Sequence, residues 1–172
     1  MARLVALLRG INLGAKRRVP MADLRALMGE LGYEDVRTVL QSGNVVFTGA
    51  KGTAQAKLEA ALADRFGFEV DVVLRTVDEL AAVIEHDPFG AEADDLKRYF
   101  VVFLPGKPDA ARLAELEAED WSPDRFAAHG SELYAWCPDG MQGSRLMKAL
   151  GKPGIAATAT FRNMSTVKKL LE

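Results

Sequence analysis

The segment VRTVLQSGNVVFT, residues 36–48, decides the fold because it places two β-prone runs on either side of a short turn. Val36–Leu40 and Asn44–Thr48 are rich in β-branched and aromatic side chains, which favour strands. The turn between them contains Gly43, which can adopt a positive φ without a steric penalty. The segment therefore predicts a β-hairpin, and the elements on each side determine which fold contains it.

A strand and a helix are predicted before the hairpin. Arg3–Leu8 is a nearly continuous apolar run, which is typical of a central strand that is buried on both faces. After a loop with two glycines and three consecutive basic residues, Pro20 fits the first turn of a helix, where its missing N–H is not needed. Apolar residues recur at helical spacing from Met21 to Leu31, and Gly32 ends the pattern as a left-handed cap.

A second helix and a further strand are predicted after the hairpin. Thr53 is expected to cap a helix that ends at Gly67. Phe68–Leu74 alternates apolar and acidic side chains, which indicates a half-buried strand. Residues 1–75 therefore predict the element order βαββαβ.

The same order is predicted a second time, after a short helix that begins at a Thr76–Glu79 capping box and ends at Asp87-Pro88. The elements of this copy are strand Tyr99–Leu104, helix Asp109–Glu119, strands Arg125–Ala128 and Leu133–Cys137, a helix around Leu146 ended by Gly151, strand Ala156–Thr160, and a C-terminal helix capped by Ser165. We therefore predict an α+β fold: two ferredoxin-like βαββαβ units with mainly antiparallel sheets, and a C-terminal helix. The units are expected at 1–86 and 98–172, with a linker at 87–97.

Composition is that of a soluble globular protein and argues against several partners. Hydrophobic residues make up 49% and charged residues 27% of the 172 positions, and the formal net charge is −2. Binding to nucleic acid or to an anionic membrane is therefore disfavoured, and no apolar run approaches the roughly 20 residues that span a bilayer. The single cysteine, Cys137, excludes an internal disulfide and indicates a reducing compartment. We expect a cytoplasmic protein.

Metal, cofactor and serine chemistry have little support in the sequence. His86, His129 and Cys137 lie far apart without ligand spacing, so no metal site is predicted. The first loop has neither the Walker nor the dinucleotide-binding glycine pattern, and no cofactor is predicted. Ser42 is not part of a G-x-S-x-G motif. Whether the chain is an enzyme stays open, as does its oligomeric state.

Polar residues of the first loop and of the hairpin are expected to meet at one edge of the first sheet. In the ferredoxin-like strand order 4-1-3-2, strands one and three lie side by side, which brings together Arg9, Gly10, Asn12, Gln41, Ser42 and Asn44. Lys16–Arg18 precedes a helix N-terminus, whose partial positive charge favours anions. The arrangement predicts a small anion site. An alternative stays open, in which the amides and Ser42 satisfy turn backbone and the basic side chains are solvated.

Three segments resemble a known family. LLRGINLGAKRRVPMADLRALM (7–28), VRTVLQSGNVVF (36–47) and TFRNMSTVKKL (160–170) are similar to the signature stretches of the bacterial domain-of-unknown-function 1697 family. The resemblance implies a tandem ferredoxin-like fold and supplies no established activity. It implies further that the signature polar positions are Arg9, Asn12, Gln41, Ser42, Asn44, Arg162, Asn163 and Thr166. Met164 and Ser165 depart from the pattern, in which an aromatic residue and asparagine are usual.

These observations lead to a binding hypothesis and two alternatives. The first is recognition of a small phosphate- or carboxylate-bearing ligand, with Arg9 and Arg162 supplying charge-assisted hydrogen bonds, the amides orienting the ligand, and Lys16 adding diffuse attraction. The alternatives are a protein–protein interaction module and a single-stranded RNA binder. Both would use the aromatic residues predicted on the central strands of the second unit: Tyr99, Phe103, Tyr134 and Trp136.

Overall fold

The computed structural model describes residues 1–152 and 158–172 of the chain. The elements of the first half are β1 (Ala2–Leu8), α1 (Met21–Glu30), β2 (Glu34–Thr38), β3 (Asn44–Gly49), α2 (Lys51–Phe66), β4 (Val72–Thr76) and α3 (Val77–His86). After a short 3-10 turn at Gly90–Glu92, the second half contains β5 (Tyr99–Phe103), α4 (Ala110–Ala118), β6 (Arg125–His129), β7 (Glu132–Trp136), α5 (Arg145–Leu150), β8 (Thr160–Asn163) and α6 (Met164–Lys169). The order βαββαβ occurs twice, as predicted.

Each half forms a four-stranded sheet in which every neighbouring pair of strands is antiparallel. The strand orders are β2-β3-β1-β4 and β6-β7-β5-β8, which is the ferredoxin-like order in both cases. In the first sheet β1 lies between β3 and β4, with Leu7 opposite Asn44 and Leu8 opposite Val72. The predicted α+β fold of two ferredoxin-like units is therefore confirmed.

The chain divides into two compact units. Residues Met1–Ala81 and Lys169–Glu172 form the first unit, and Ala82–Lys168 form the second. The last residues are held to the first unit by Arg37 on β2, whose Nη2 donates to the carbonyl oxygens of Leu170 at 3.0 Å and Glu172 at 3.2 Å. Among the described residues, no helix combines the length and the apolar character needed to cross a bilayer.

The continuous apolar run in β1 follows from burial of both faces of this strand. Leu4, Ala6 and Leu8 belong to the core that packs against α1 and α2. Val5 and Leu7 point to the opposite face and are fully buried as well. A strand with two buried faces has no position that favours a polar side chain, so its sequence does not alternate.

Helix ends confirm several sequence predictions. Gly32 and Gly67 follow α1 and α2 with φ of 86° and 79°, the left-handed conformation that ends a helix. The predicted capping box is present at α3, where Thr76 Oγ1 accepts from the Glu79 N–H and Glu79 Oε1 accepts from the Thr76 N–H, both at 3.0 Å. These hydrogen bonds replace the partners that the first turn of a helix lacks.

Predicted boundaries of five elements differ from the structure by more than one residue. Strand β2 is predicted at Val36–Leu40 and lies at Glu34–Thr38, which places Leu40 in the turn. In the other four elements a tertiary contact or a neighbouring residue decides the outcome. Helix α2 begins at Lys51, directly after β3, so Thr53 lies inside its first turn. Strand β4 begins at Val72, because β1 ends at its partner Leu8 and leaves residues 68–71 without a strand to pair with.

The other two differences concern the end of the chain. Strand β8 begins at Thr160, where pairing with Phe103 of β5 begins; Ala156 and Ala157 of the predicted strand lie outside the described residues. Helix α6 is capped by Asn163, whose Oδ1 accepts from the Thr166 N–H at 2.9 Å, so Ser165 lies within the helix.

The two units repeat one pattern at their fourth strand. Arg75 on β4 lies opposite Val5 of β1, and Arg162 on β8 lies opposite Val101 of β5. Both arginines are buried, with 6% and 7% exposure. A residue that caps the next helix follows each of them: Thr76 before α3 and Asn163 before α6. The internal repeat therefore includes the helix that follows each βαββαβ motif.

Candidate functional site

The first loop and the first hairpin turn meet, as the strand order predicts. The Leu8 N–H donates to the Gly43 carbonyl at 2.9 Å, and Asn12 Nδ2 donates to the Gln41 carbonyl at 2.7 Å. Gly43 has a φ of 95°, and a Cβ at this position would lie 2.7 Å from Ile11 Cδ1 and 2.9 Å from Leu8 Cβ. Only glycine allows this approach. We call loop 9–18 together with turn 40–44 the rim.

The side chain of Asn12 holds the rim together through hydrogen bonds to its backbone. Its Nδ2 donates to Val19 and Gln41 carbonyls at 2.9 and 2.7 Å, and its Oδ1 accepts from the Val19 N–H at 2.8 Å. Both amide hydrogens are therefore used by the backbone of the chain itself. Asn12 positions the loop against the turn, which is the turn-backbone role that the sequence left open.

Asn44 also serves the turn. Its side chain is fully buried, and its Nδ2 donates to the Val39 carbonyl at 2.7 Å and to Ser42 Oγ at 2.9 Å. A ligand has no access to a buried amide. Ser42 remains exposed at the tip of the turn, while Asn44 fixes the shape of the backbone beneath it.

Arg17 folds back over the loop. Its Nε donates to the Gly10 carbonyl at 2.9 Å, its Nη2 donates to the Glu69 carbonyl at 2.9 Å, and its guanidinium lies 4.8 Å from the centre of the Phe68 ring. This arginine is thus a structural residue of the rim. Its role was not predicted, because three consecutive basic residues give no signal of which one folds inward.

Besides Ser42 and Arg18, which are exposed, three polar side chains of the rim face outward. Arg9 is 44% exposed, and its Nη1 lies 3.9 Å from Asp71 Oδ2. Lys16 and Gln41 are exposed, and within residues 1–152 and 158–172 their side chains make no hydrogen bond or ion pair. The rim therefore presents a guanidinium, an ammonium and a primary amide on a backbone that internal hydrogen bonds hold in place.

Left-handed backbone is concentrated at the rim. Among the described non-glycine residues, φ is positive at Asn12 (56°), Arg17 (56°), Leu40 (60°) and Asp35 (50°), and three of these four belong to the rim. Gly10 and Gly43 add φ values of 68° and 95°. Each non-glycine residue in this region costs on the order of 1 kcal/mol, and such strain is found preferentially at functional sites.

The predicted residues from the third signature segment belong to the second unit and have structural roles there. Arg162 Nη1 donates to Thr160 Oγ1 at 2.6 Å and to the Phe161 carbonyl at 2.8 Å. Burial lowers the pKa of its guanidinium to about 10, which leaves it charged at neutral pH. Asn163 and Thr166 form the cap of α6, and Met164 is 1% exposed. Methionine at this position therefore fills space in the core.

The aromatic residues predicted on the central strands of the second unit are buried. Tyr99, Phe103, Tyr134 and Trp136 are between 0% and 5% exposed. The hydroxyl of Tyr99 donates to Asp87 Oδ1 at 2.7 Å, and that of Tyr134 donates to the Val83 carbonyl at 2.8 Å. Hydrogen-bonded, buried tyrosines of this kind are part of a core.

Residues capable of other chemistry do not assemble into a second site within the described ranges. Cys137 is buried, which raises the pKa of its thiol to about 11 and disfavours the reactive thiolate. His86 and His129 stack with ring centres 3.8 Å apart and an interplanar angle of 17°. Nearly parallel rings direct their lone pairs along parallel lines, which does not suit a shared metal ion.

Comparisons with known proteins support the fold and identify the family. A solved structure, that of a conserved bacterial protein from Streptococcus pneumoniae, is 27% identical in sequence and has a TM-score of 0.79, covering 98% of this chain and 96% of that one. No curated protein matches the chain. The family described as Protein of unknown function (DUF1697) matches residues 1–134, which include the whole rim. The chain belongs to this family.

Proposed function

We propose that the first unit binds a small anionic ligand, phosphate- or carboxylate-bearing, at the rim. Arg9 would supply charge-assisted hydrogen bonds, Gln41 would orient the ligand through its amide, and Lys16 would add electrostatic attraction. The observation that carries the proposal is that the backbone of the rim is already fixed. The side chains of Asn12, Asn44 and Arg17 form hydrogen bonds to backbone and side-chain groups of the protein and hold the rim in shape. A ligand would then meet three outward side chains whose backbone is already ordered.

The basic side chains of the rim favour binding of an anionic ligand, although the whole chain carries a net charge of −2. The loop supplies Arg9, Lys16 and Arg18, and Asp71 is the carboxylate that lies beside Arg9. Helix α1 begins at Met21, and its N-cap residue supplies no side-chain hydrogen bond to the first turn. The free N–H groups there add partial positive charge close to the basic run in sequence.

The proposal is tested by measuring thermal unfolding of the full chain in the presence of nucleotides, sugar phosphates and organic acids. A ligand present at about a hundred times its dissociation constant stabilises the protein by about 2.7 kcal/mol. We expect at least one anion to raise the melting temperature with saturable dependence on concentration. A screen without any such anion would contradict the proposal, and so would saturable binding of single-stranded RNA alone.

Arg9→Ala should abolish the stabilisation while leaving the unliganded fold intact, because the side chain is exposed and an exposed ion pair contributes little to stability. Arg98→Ala is the matched control. Arg98 is 50% exposed and lies 3.6 Å from Asp95, so it matches Arg9 beside Asp71 in exposure and ion pairing, and its Nη1 also donates to the Pro138 carbonyl at 2.6 Å. Equal loss of the ligand effect in both variants would show that Arg9 has no special role.

A cytoplasmic location belongs to the same proposal. Its support is the single buried thiol of Cys137, which fits a reducing compartment.

A further inference from the structure

Two leucines stand exposed at the rim. Leu13 is 85% exposed and Leu40 is 50% exposed, whereas the large apolar side chains of a core are withdrawn from water. Leu13 follows Asn12 in sequence and Leu40 precedes Gln41, so each leucine lies one residue, about 3.8 Å of backbone, from the Asn12–Gln41 hydrogen bond. The rim therefore carries apolar surface next to its polar groups.

Folding does not account for Leu40. Its backbone has a φ of 60°, a left-handed conformation that glycine or asparagine adopts at lower cost. Its side chain is half exposed, so burial offsets the strain only in part. Leu13 gains still less, because most of its side chain is in contact with water. Both residues are less favourable for stability than a small polar residue would be.

Resting on the proposed function, we propose that the ligand of the rim is an anionic amphiphile, a soluble molecule with a phosphate or carboxylate group and an apolar chain. The anionic group binds at Arg9, Lys16 and Gln41. The apolar chain lies against Leu13 and Leu40, which removes their side chains from water. Charge complementarity selects the anionic end, and the two exposed leucines select the apolar end.

Chain length is the variable that tests this inference. Isothermal titration of the full chain with methyl, butyl and octyl phosphate, and with acetate, butyrate and octanoate, is carried out below micelle-forming concentrations. A fully buried methylene strengthens binding about fourfold, but the leucines lie on an open surface. We therefore expect the octyl compound to bind about tenfold more tightly than the methyl compound in at least one series.

Variants assign the effect to the two leucines. Leu13→Ser and Leu40→Asn should remove the dependence on chain length, so that the methyl and octyl compounds bind with equal affinity. Leu40→Asn should also raise the melting temperature of the free protein, because asparagine relieves the backbone strain. Met141→Ser is the control, since Met141 is 43% exposed in the second unit and its loss should change neither property.

The outcomes separate this inference from the proposed function. Equal affinity for methyl and octyl compounds in both series would overturn the amphiphile and leave anion binding in place. A dependence on chain length that survives in Leu13→Ser and Leu40→Asn would also overturn it. Failure of every anion to bind would overturn both, and octanol binding as tightly as octyl phosphate would show that the charge has no part in recognition.

Discussion

Gly43 is the residue on which the contact between loop and hairpin depends. A methyl group there would lie within 2.9 Å of both Leu8 and Ile11, and the φ of 95° would strain an alanine. Gly43→Ala should therefore destabilise the fold by about 2–4 kcal/mol, the sum of a left-handed residue and an overpacked contact. Urea denaturation followed by circular dichroism measures the change.

Gly14→Ala provides the comparison at the residue scale. Gly14 lies in the same loop, and no atom lies within 4 Å of the position that its Cβ would occupy. We expect its substitution to change stability by less than about 0.5 kcal/mol. Similar losses in the two variants would mean that the close approach at Gly43 is not what holds the turn.

For the amide side chains of the rim, the sequence predicts the position but not the hydrogen-bond partners. The sequence places Asn12 and Gln41 side by side, because strand order follows from element order. It does not say whether an amide faces a ligand or a carbonyl of its own chain, since asparagine suits both. The difference is decided by distances of 2.7–2.9 Å around Asn12, which no pattern of residue types contains.

At the scale of elements, helix α3 depends on its capping box. Partial burial opposes ionisation of Glu79, but hydrogen bonds from Lys51 and Thr76 outweigh it and hold the pKa of Glu79 below its usual value of 4.5. A carboxylate whose pKa is lower in the folded state stabilises the fold above the unfolded pKa. This contribution is lost as the pH falls through the folded pKa.

Glu79→Gln should therefore lose less stability than the wild type between about pH 6 and pH 3, although it is less stable at neutral pH. Thr76→Ala should cost about 1 kcal/mol, as the loss of an N-cap usually does. Chemical denaturation at a series of pH values measures both effects. Glu85→Gln, on the same helix and without a hydrogen-bond partner in the described part of the chain, should follow the wild-type pH profile.

The type of an element could be predicted where a local sequence pattern determines it. The boundary of a strand could not be predicted where the length of its partner strand determines it. Apolar spacing and glycine caps predicted α1 and its end at Gly32. The alternation of Phe68–Leu74 predicted a strand, but β4 can pair only from Val72, because β1 ends at Leu8. Pairing over a long sequence distance is absent from a local pattern, so such ends are seen only in the structure.

At the scale of the whole molecule, the two units have one framework and different connections. The Leu8 N–H donates to Gly43 in the first unit, and the Leu104 N–H donates to Ser131 at the same register in the second, both at 2.9 Å. Residues 9–20 connect the first strand to the first helix in one unit, and residues 104–109 make the same connection in the other. Within the described parts of the two units, the rim is therefore a feature of the first unit alone.

Anion binding should accordingly perturb one unit. In two-dimensional NMR spectra of the full chain, titration with an anion that raises the melting temperature should shift amide signals of residues 9–18 and 40–44. Signals of residues 104–109 and 129–131 should stay in place, because the framework there carries no basic loop. Comparable shifts at both sets of residues would indicate weak, unspecific attraction of anions in place of a site.

The hydrogen bond shared by Leu8 and Leu104 has a consequence for the length of the connection that follows each of these strands. The second unit forms a sheet of the same strand order with a much shorter connection, so this strand order does not by itself require a connection as long as residues 9–20. Within residues 9–20, however, Ile11 and Val19 are buried in the core of the first unit, so these two positions of the long connection serve folding. The exposed residues between these two, 13–18, are the part of the long connection that the core does not use.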